Sequence, residues 1–558
     1  MTWFYLVPTQ SILYSIMTLT HLATEQITTI INSALQKLSL PGIPGFHVEI
    51  PADESHGDFA ANAFLAGAKR FGMPPRKAAE AALPLFDFTG TIFAHAEIAG
   101  PGFVNFFLAP SFYSSVVKQV FKQGTNYGRS PSTGKSVLVE FVSANPTGPM
   151  HIGNARGGAL GDALSSVLDF GGYNVKREFY INDAGNQIEK FAASLYARYL
   201  QIETPDHPMP ENAYMGEDII DHAQNFYNKH GVSPLGESEL KQALVNYALP
   251  QNIAGLETDL AKYRIKYDRW FRESEVYQNG EADKVIEILT ANGHTYEKDG
   301  ALWFKPNDAS DETEHFVLKR SNGFYTYIVP DIAYHYDKLV TRSFDVAVDV
   351  LGADHHGYVP RMRAALKALG LDPARLHPVI MQMVRLVRNG QTIKASKRSG
   401  KAITLSTLLD EIPIDAARYF FCSREANTHL DFDLDLAAEQ SSKNPVYYVQ
   451  YAHARISSIL RNADKTKAPA NSPPPTEPDE LSLIRSIALF PDIILECTEA
   501  FEPTKLTRYA YDLAGKFHKF YNACKVSGNP GRLALCKATA VVLQNIGTLL
   551  KVEMPDTM

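Results

Sequence analysis

Cysteine is scarce. The chain has 558 residues but only Cys422, Cys497, Cys524 and Cys536, all in its last quarter and none in a CxxC pair. This argues against a disulfide-stapled scaffold and a cysteine-rich zinc site, and predicts a reducing compartment, the cytoplasm. No run approaches the roughly twenty apolar residues that cross a bilayer, so no membrane association is expected. The apolar opening MTWFYLVPTQSILYSIM lacks an initial Lys or Arg, contains Pro8 and has no clear small-residue cleavage site. It therefore does not fit a signal peptide, and residues 1–16 are expected to be an extension outside the fold. A basic excess is also missing: the net charge is -7, which neither suggests nor excludes a nucleic-acid partner. Internal repeats are absent.

What is present is the composition of a globular protein, 45% hydrophobic and 21% charged, in a chain long enough for about two to four domains. Helical periodicity over residues 20–37, a short strand HVEIP, two helices broken by proline, and AEIAGPGFVNFFLAP as strand, turn and strand predict an N-terminal α+β domain over 17–126. Phe103 and Asn105 of that last segment can stack on and hydrogen-bond a base, or the segment is an ordinary edge strand. Residues 127–410 carry two strand–loop–helix units, interrupted by a mixed insertion over about 201–325. Such units far apart in sequence predict a doubly wound parallel sheet with a ligand crevice where strand order reverses. Asn389-Gly390 marks a hairpin. From 411 to 558 the pattern is helical, broken by a proline-rich linker over 467–480, with Tyr447, Tyr448 and Tyr451 near Arg455 and Arg461. Those aromatics and cations suit single-stranded RNA, or are core tyrosines beside surface cations.

The stretch Val137–Leu168 runs from strand through a Pro/Gly turn into a helix beginning near Met150. The start of that helix suits an anionic phosphate, with His151 and Asn154 on one face of its first turns. The glycines Gly153, Gly157, Gly158 and Gly161 allow close approach to a sheet or to a flat ring. Lys394, Lys397, Arg398 and Lys401 sit in a Ser/Gly loop that is either a lid over polyphosphate or a solvated basic loop. Asp354-His355-His356 lacks the further ligands a zinc site needs, so no protein-held metal is expected.

Together these segments resemble the class I aminoacyl-tRNA synthetases, and among them the arginyl-tRNA synthetases. His151-Ile152-Gly153-Asn154 is similar to the signature His-Ile-Gly-His, and Lys394-Ala395-Ser396-Lys397-Arg398 to Lys-Met-Ser-Lys-Ser. ANPTGPMHIGNARGGALGD, NDAGNQIEKF, the Tyr327–His335 stretch, GADHHGY and DAARYFF extend the resemblance over nearly the whole chain. Asn154 replaces the second signature histidine, and Ala395 the methionine.

The resemblance implies a Rossmann-like catalytic domain between an N-terminal tRNA-binding domain and an α-helical anticodon-binding bundle. It implies ligation of L-arginine to tRNA(Arg) with ATP and magnesium; a monomer is expected, although the sequence does not settle oligomeric state. His151, Asn154, Lys394 and Lys397 are the implied catalytic residues. Gly153, Gly352, Asp354, His355 and Ser396 would line the ATP site. Glu140, Asn145, Tyr327 and Asp331 would hold arginine, and Phe103, Asn105, Tyr447, Tyr451 and Arg455 would contact tRNA. Two readings stand beside this one: a class I relative charging another amino acid, such as the cysteinyl type, which the missing cysteine-rich zinc site opposes, and a non-catalytic tRNA-binding paralogue, which Lys394 and Lys397 oppose.

Overall fold

A computed structural model describes residues 18–306, 315–355, 357–393, 403–463 and 475–558. Residues 1–16, His356, the basic loop with Lys394, Ala395, Ser396, Lys397, Arg398 and Lys401, and most of the proline-rich linker lie outside the described residues.

The N-terminal unit begins with the helix Leu19–Lys37, whose buried stripe includes Ile27, Ile31 and Leu35 at helical spacing. It packs with a four-stranded sheet of β1 (Val48–Glu49), β2 (Phe59–Ala61), β3 (Phe93–Ala99) and β4 (Phe103–Leu108), in the order β1-β2-β4-β3. The segment GFVNFFL is therefore no edge strand: β4 is paired on both sides.

The central unit is built on a five-stranded, all-parallel sheet. Its strands are β5 (Ser136–Glu140), β6 (Asn174–Ile181), β7 (Arg269–Arg272), β11 (Val346–Gly352) and β12 (Leu376–Met381), in the order β12-β11-β5-β6-β7. The order reverses between β5 and β11, so the carboxyl ends of these two strands flank the crevice where such sheets hold ligands. Two crossover features read from the sequence are in place, but the insertion over 201–325 needs correction. It is not one body, because β7 lies inside it and pairs with β6. β7 has four residues, mostly half-buried or exposed, and this leaves no strong apolar run to recognise. The helices Glu217–His230 and Glu237–Lys262 precede it. A small antiparallel sheet of β8 (Thr295–Lys298), β9 (Ala301–Phe304) and β10 (Phe316–Lys319) follows. Asn389 and Gly390, both at positive φ, turn β13 (Val384–Arg388) into β14 (Gln391–Ile393), as I′-type hairpin chemistry predicts. β13 also pairs in parallel with β15 (Leu430–Asp433).

The remainder is helical: Ile414–Phe421, Pro445–Asn462, Pro478–Ala488, Phe490–Ala500, Thr504–Ala523 and Pro530–Leu550. The last corrects the expectation that no segment matches a membrane span. It is 21 residues long with a mean hydropathy of 1.5, enough by length and composition, yet 61% of that window is buried within the protein. Its apolar residues form core: Leu535, Val542, Leu543, Ile546 and Leu550 are all buried. A helix that is apolar on most sides is the form expected at the centre of a bundle.

The N-terminal unit is pinned to the C-terminal helices. Asp492 accepts hydrogen bonds from the backbone N–H groups of Leu19 and Thr20, both at 3.0 Å, and so caps the first helix from another part of the chain. Arg485 pairs with buried Asp58 at 2.6 Å, and Asp58 also accepts from Tyr113 and from the Leu108 N–H. Asp492→Ala orphans one buried and one half-buried donor. It is expected to destabilise docking of the N-terminal unit by about 1–2 kcal/mol, read as an earlier transition in urea unfolding followed by circular dichroism.

Candidate active site

The crevice is organised by a row of acids. Strand register places Asp349 of β11 opposite Glu140 of β5, and Glu140 opposite Glu178 of β6. The helix Ile328–Tyr336 and the π-helical turn Asp337–Thr341 that continues it deliver the counter-charges. Lys338, fully buried, donates to Glu140 at 2.6 Å and to Asp349 at 2.8 Å. Arg342 grips both oxygens of Glu178 at 2.5 and 2.9 Å, and Tyr334 donates to the same carboxylate. His335 meets Asp349 at 2.6 Å. Burial would raise the Asp349 carboxyl, but Lys338 and His335 outweigh it and hold the group well below its ordinary value.

Beyond Glu140 the chain turns through Val142 and Ser143, both non-glycine residues at positive φ (70° and 40°). A β-branched residue in that region is strained, and such strain collects at functional sites. The geometry lets the Ser143 hydroxyl donate to Glu140 at 2.8 Å and accept from the Tyr180 N–H. Thus one Glu140 oxygen faces Lys338 and the other Ser143. Asn145 is exposed on the same loop.

The loop ends at His151, which caps the helix Ile152–Phe170. His151 Nδ1 accepts from the Gly153 N–H, while Asn154 Oδ1 accepts from the His151 N–H, a reciprocal capping box. An Asn that accepts through oxygen keeps its NH₂ as a donor, just as a neutral imidazole accepts at one nitrogen and donates at the other. The helical glycines serve packing: a Cβ on Gly161 would meet the Phe141 ring at 2.3 Å, and one on Gly158 would meet Ile265 at 2.8 Å. A Cβ on Gly153 would press on the His151 ring at 2.9 Å, so this glycine protects the cap. His151 also bridges to Thr404, and the Leu405 N–H donates to the Met150 carbonyl at 2.9 Å. The chain leaving the basic loop is therefore fastened to the signature residue.

On the other side of the switch point, Gly352 ends β11 and Asp354 and His355 follow in a short turn, their side chains 85% and 48% exposed. Tyr327 stands 69% exposed at the start of the helix carrying Asp331, and its hydroxyl meets Arg361 at 3.5 Å.

Two carboxylates near this crevice keep raised pKa values. Desolvation, then the nearby Glu273 and Glu140, push the Asp331 carboxyl well above its usual range. Desolvation also raises Glu273, which is only 8% exposed, to about 7, with Asp183 adding to it. Neither forms an ion pair among the described residues. Tyr180 lies beside Glu273, and Tyr358 beside Asp331. Sequence reasoning missed Glu273 and Lys338. The only available signal was an acid directly after a short strand, and a lysine just past a helix rich in aromatics.

Asn105 corrects the expected N-terminal contact surface: it is only 7% exposed, so it belongs to the interior. Phe107, its neighbour on β4, stacks flat on His95 at 4.4 Å. In the helical region Tyr451, 43% exposed, stacks with His518, and Arg455 lies over the Tyr451 and Tyr521 rings. Tyr447 lines a cleft of about 280 Å³ with Pro413, Asn444 and Met558.

Three family models match the chain: the arginyl-tRNA synthetase N-terminal domain over residues 25–108, the class I (R) tRNA synthetase catalytic domain over 116–458, and the DALR anticodon-binding domain over 449–558. Similar proteins include the arginine–tRNA ligase of Caldanaerobacter subterraneus, 48% identical over 96% of this chain and 99% of its own length. This chain belongs to the arginyl-tRNA synthetases. The arginine–tRNA ligase of Acetivibrio thermocellus is 45% identical over 96% of this chain and 98% of its own. Thermus thermophilus arginyl-tRNA synthetase, at 21% identity and a TM-score of 0.73, shares the fold across 96% of this chain and 100% of its own.

The uncompensated acids have a measurable cost in this synthetase. Because the folded-state Glu273 carboxyl is raised to about 7 from 4.5, its penalty appears as pH climbs between those values and is complete above 7. Glu273→Gln is expected to stabilise the ligand-free protein at pH 8 by about 2–3 kcal/mol and to have no such effect near pH 4.5, measured by denaturant unfolding at both values.

Proposed function

We propose that this chain is an arginine–tRNA ligase. It activates L-arginine with ATP to arginyl-adenylate and transfers the arginyl group to the 3′-terminal adenosine of tRNA(Arg), releasing AMP and pyrophosphate. One observation carries the reading: Asp331 and Glu273, both desolvated and in no ion pair among the described residues, lie near the switch-point crevice, beside a phosphate-suited helix start fastened to the exit of the basic loop. Such a pair asks for a planar cation with several N–H donors.

The arginine carboxylate attacks the ATP α-phosphate, so the protein's task is positioning and charge stabilisation rather than supply of a nucleophile. His151 and the Asn154 amide would donate to the triphosphate, and Lys394 and Lys397 would clamp the leaving pyrophosphate, with Ser396 beside them. Gly352, Asp354 and His355 would lie along the nucleotide. Magnesium is assigned in this reading to ATP, as part of the substrate. Asp331 and Glu273 would accept from the guanidinium, Tyr327 would cover it, and Asn145 would hold the α-amino or carboxylate end. Glu140, with Lys338 and Ser143 on its oxygens, would order this pocket from behind. Lysine offers one compact ammonium and would leave a buried carboxylate unmatched. Discrimination of about 10⁴ is therefore attainable without proofreading.

The domains are assigned as 17–126 for tRNA contact, 127–410 for catalysis and 411–558 for the anticodon. Phe103 in the first and Tyr447, Tyr451 and Arg455 in the last are tRNA contacts in this reading. A monomer is part of this reading, and the four buried free thiols suit the cytoplasm.

Incubating the protein with ATP, unfractionated tRNA and each amino acid in turn is expected to give charging with arginine; no arginine incorporation would refute the proposal. Asp331→Ala should raise KM for arginine at least about a hundredfold, the loss of a charge-assisted pair, and leave KM for ATP within about twofold. Equal effects on both would remove Asp331 from the guanidinium site. Arginine binding should also tighten as pH rises through 7, by up to about tenfold per unit below that value, because the guanidinium binds the ionised form of Glu273. A flat profile of arginine affinity between pH 6 and 8 would exclude that role.

A further inference from the structure

The helix Ile414–Phe421 carries two side chains that tie the end of the C-terminal helical region to the catalytic unit. Arg418 is fully buried. Its Nε donates to the Leu550 carbonyl at 2.8 Å, its Nη1 to the Tyr263 carbonyl at 2.9 Å, and its Nη2 to Asp162 at 2.6 Å. Leu550 is the last residue of the helix Pro530–Leu550, Tyr263 follows the helix Glu237–Lys262, and Asp162 stands on the signature helix Ile152–Phe170. One guanidinium therefore meets three separate parts of the molecule. Asp415, one turn earlier, accepts from Arg264 at 2.5 Å and from the Glu553 N–H at 3.0 Å, and Arg264 donates onward to the Lys551 carbonyl.

We propose that Arg418 is a positioning residue that transmits occupancy of the C-terminal helical domain to the signature helix through Asp162. The inference rests on the ligase reading above. The helix that ends at Leu550 packs against Pro445–Asn462 and Thr504–Ala523, which bear Tyr451, Arg455, His518 and Tyr521. A ligand seated on those side chains bears on the bundle whose final carbonyl Arg418 reads. The fork is planar and its donors are fixed in direction, so a displacement of Leu550 must move the guanidinium or break a bond in a dry interior. Asp162 has the same rigidity: its other oxygen accepts from Arg177, which also donates to Ser166 one turn further along the same helix. Asp162 lies eight positions beyond Asn154, about 12 Å along a helix that moves as a rod. A shift received there arrives at His151 and Asn154.

The test compares two RNA substrates on the full chain: intact tRNA(Arg), and the same tRNA with its anticodon stem-loop cut back to a short capped stem. Arg418→Lys keeps the charge and loses the fork; Asp162→Asn keeps the shape and loses the carboxylate. Should Arg418→Lys fail to fold by circular dichroism, Asp162→Asn carries the comparison alone. The unmutated chain is expected to charge intact tRNA with a higher kcat than the truncated form. Each variant is expected to cut the ratio of the two kcat values by at least about tenfold, through the intact substrate, leaving kcat on the truncated RNA and KM for ATP within about twofold. A variant in which both kcat values fall together assigns Arg418 to packing and overturns the proposal. An unmutated chain with equal kcat on both RNAs overturns it as well, since nothing is then transmitted. Charging of neither RNA with arginine refutes the ligase reading itself, and this inference with it.

Discussion

Glu178, Glu140 and Asp349 stand side by side across three adjacent parallel strands, Glu140 at the end of β5 and the other two within β6 and β11. In a sheet covered on both faces such a row would repel itself strongly. It persists because Lys338 and Arg342, four residues apart on one turn, reach down onto it together. The turn Asp337–Thr341 is π-helical and Arg342 caps it, and a spacing of four residues puts positions 338 and 342 on the same side. Removing either cation would leave a buried carboxylate uncompensated, the costly half of any buried pair. The row thereby dictates where the helix Ile328–Tyr336 sits, and that helix carries Asp331 and begins at Tyr327. The strained turn at Val142 and Ser143 answers to the same row, since Ser143 supplies a hydrogen bond to Glu140.

Much of this was legible. The glycine-rich helix, the Asn389-Gly390 hairpin and the two strand–loop–helix units follow from local chemistry, so periodicity and turn residues expose them. The loop that ends at Thr404 could be paired with His151 only by the resemblance of the two signatures, because their residues are separated by roughly 240 positions of sequence. The charge row was hidden for a physical reason: it is made by register between strands that start at 136, 174 and 346, and register is not a local property. Lys338 in HYDKLVT looks like a surface lysine until the strands beneath it are placed. β7 escaped because an edge strand of four residues, half-exposed, has no apolar signature. Asn105 was misplaced because alternation cannot tell which face of a strand is buried when both neighbours are unknown.

The helix that resembles a membrane span shows the converse limit. Composition reports how apolar Pro530–Leu550 is, and only packing decides what covers it. Here it is covered by neighbouring helices, and its last carbonyl is read by an arginine from the helix where the catalytic and C-terminal regions meet.

The acids of the crevice fall into two sets that the protein treats in opposite ways. Glu178, Glu140 and Asp349 are satisfied by Lys338, Arg342 and His335, and their interactions are complete without a ligand. Asp331 and Glu273 form no ion pair among the described residues; Lys338 acts on Asp331 without offsetting its desolvation, and both carboxyls are held with raised pKa values, which amounts to a standing electrostatic deficit. A cation that enters relieves it, so the interaction is stronger than the same contact with carboxylates already neutralised would be. Its shape matters too, because two carboxylates present four oxygens, and a planar fork of N–H donors can engage several of them at once where a compact ammonium engages fewer. Glu140, although nearest in the chain to the phosphate-facing helix, belongs to the first set, and its contribution is to fix the geometry in which the second set waits.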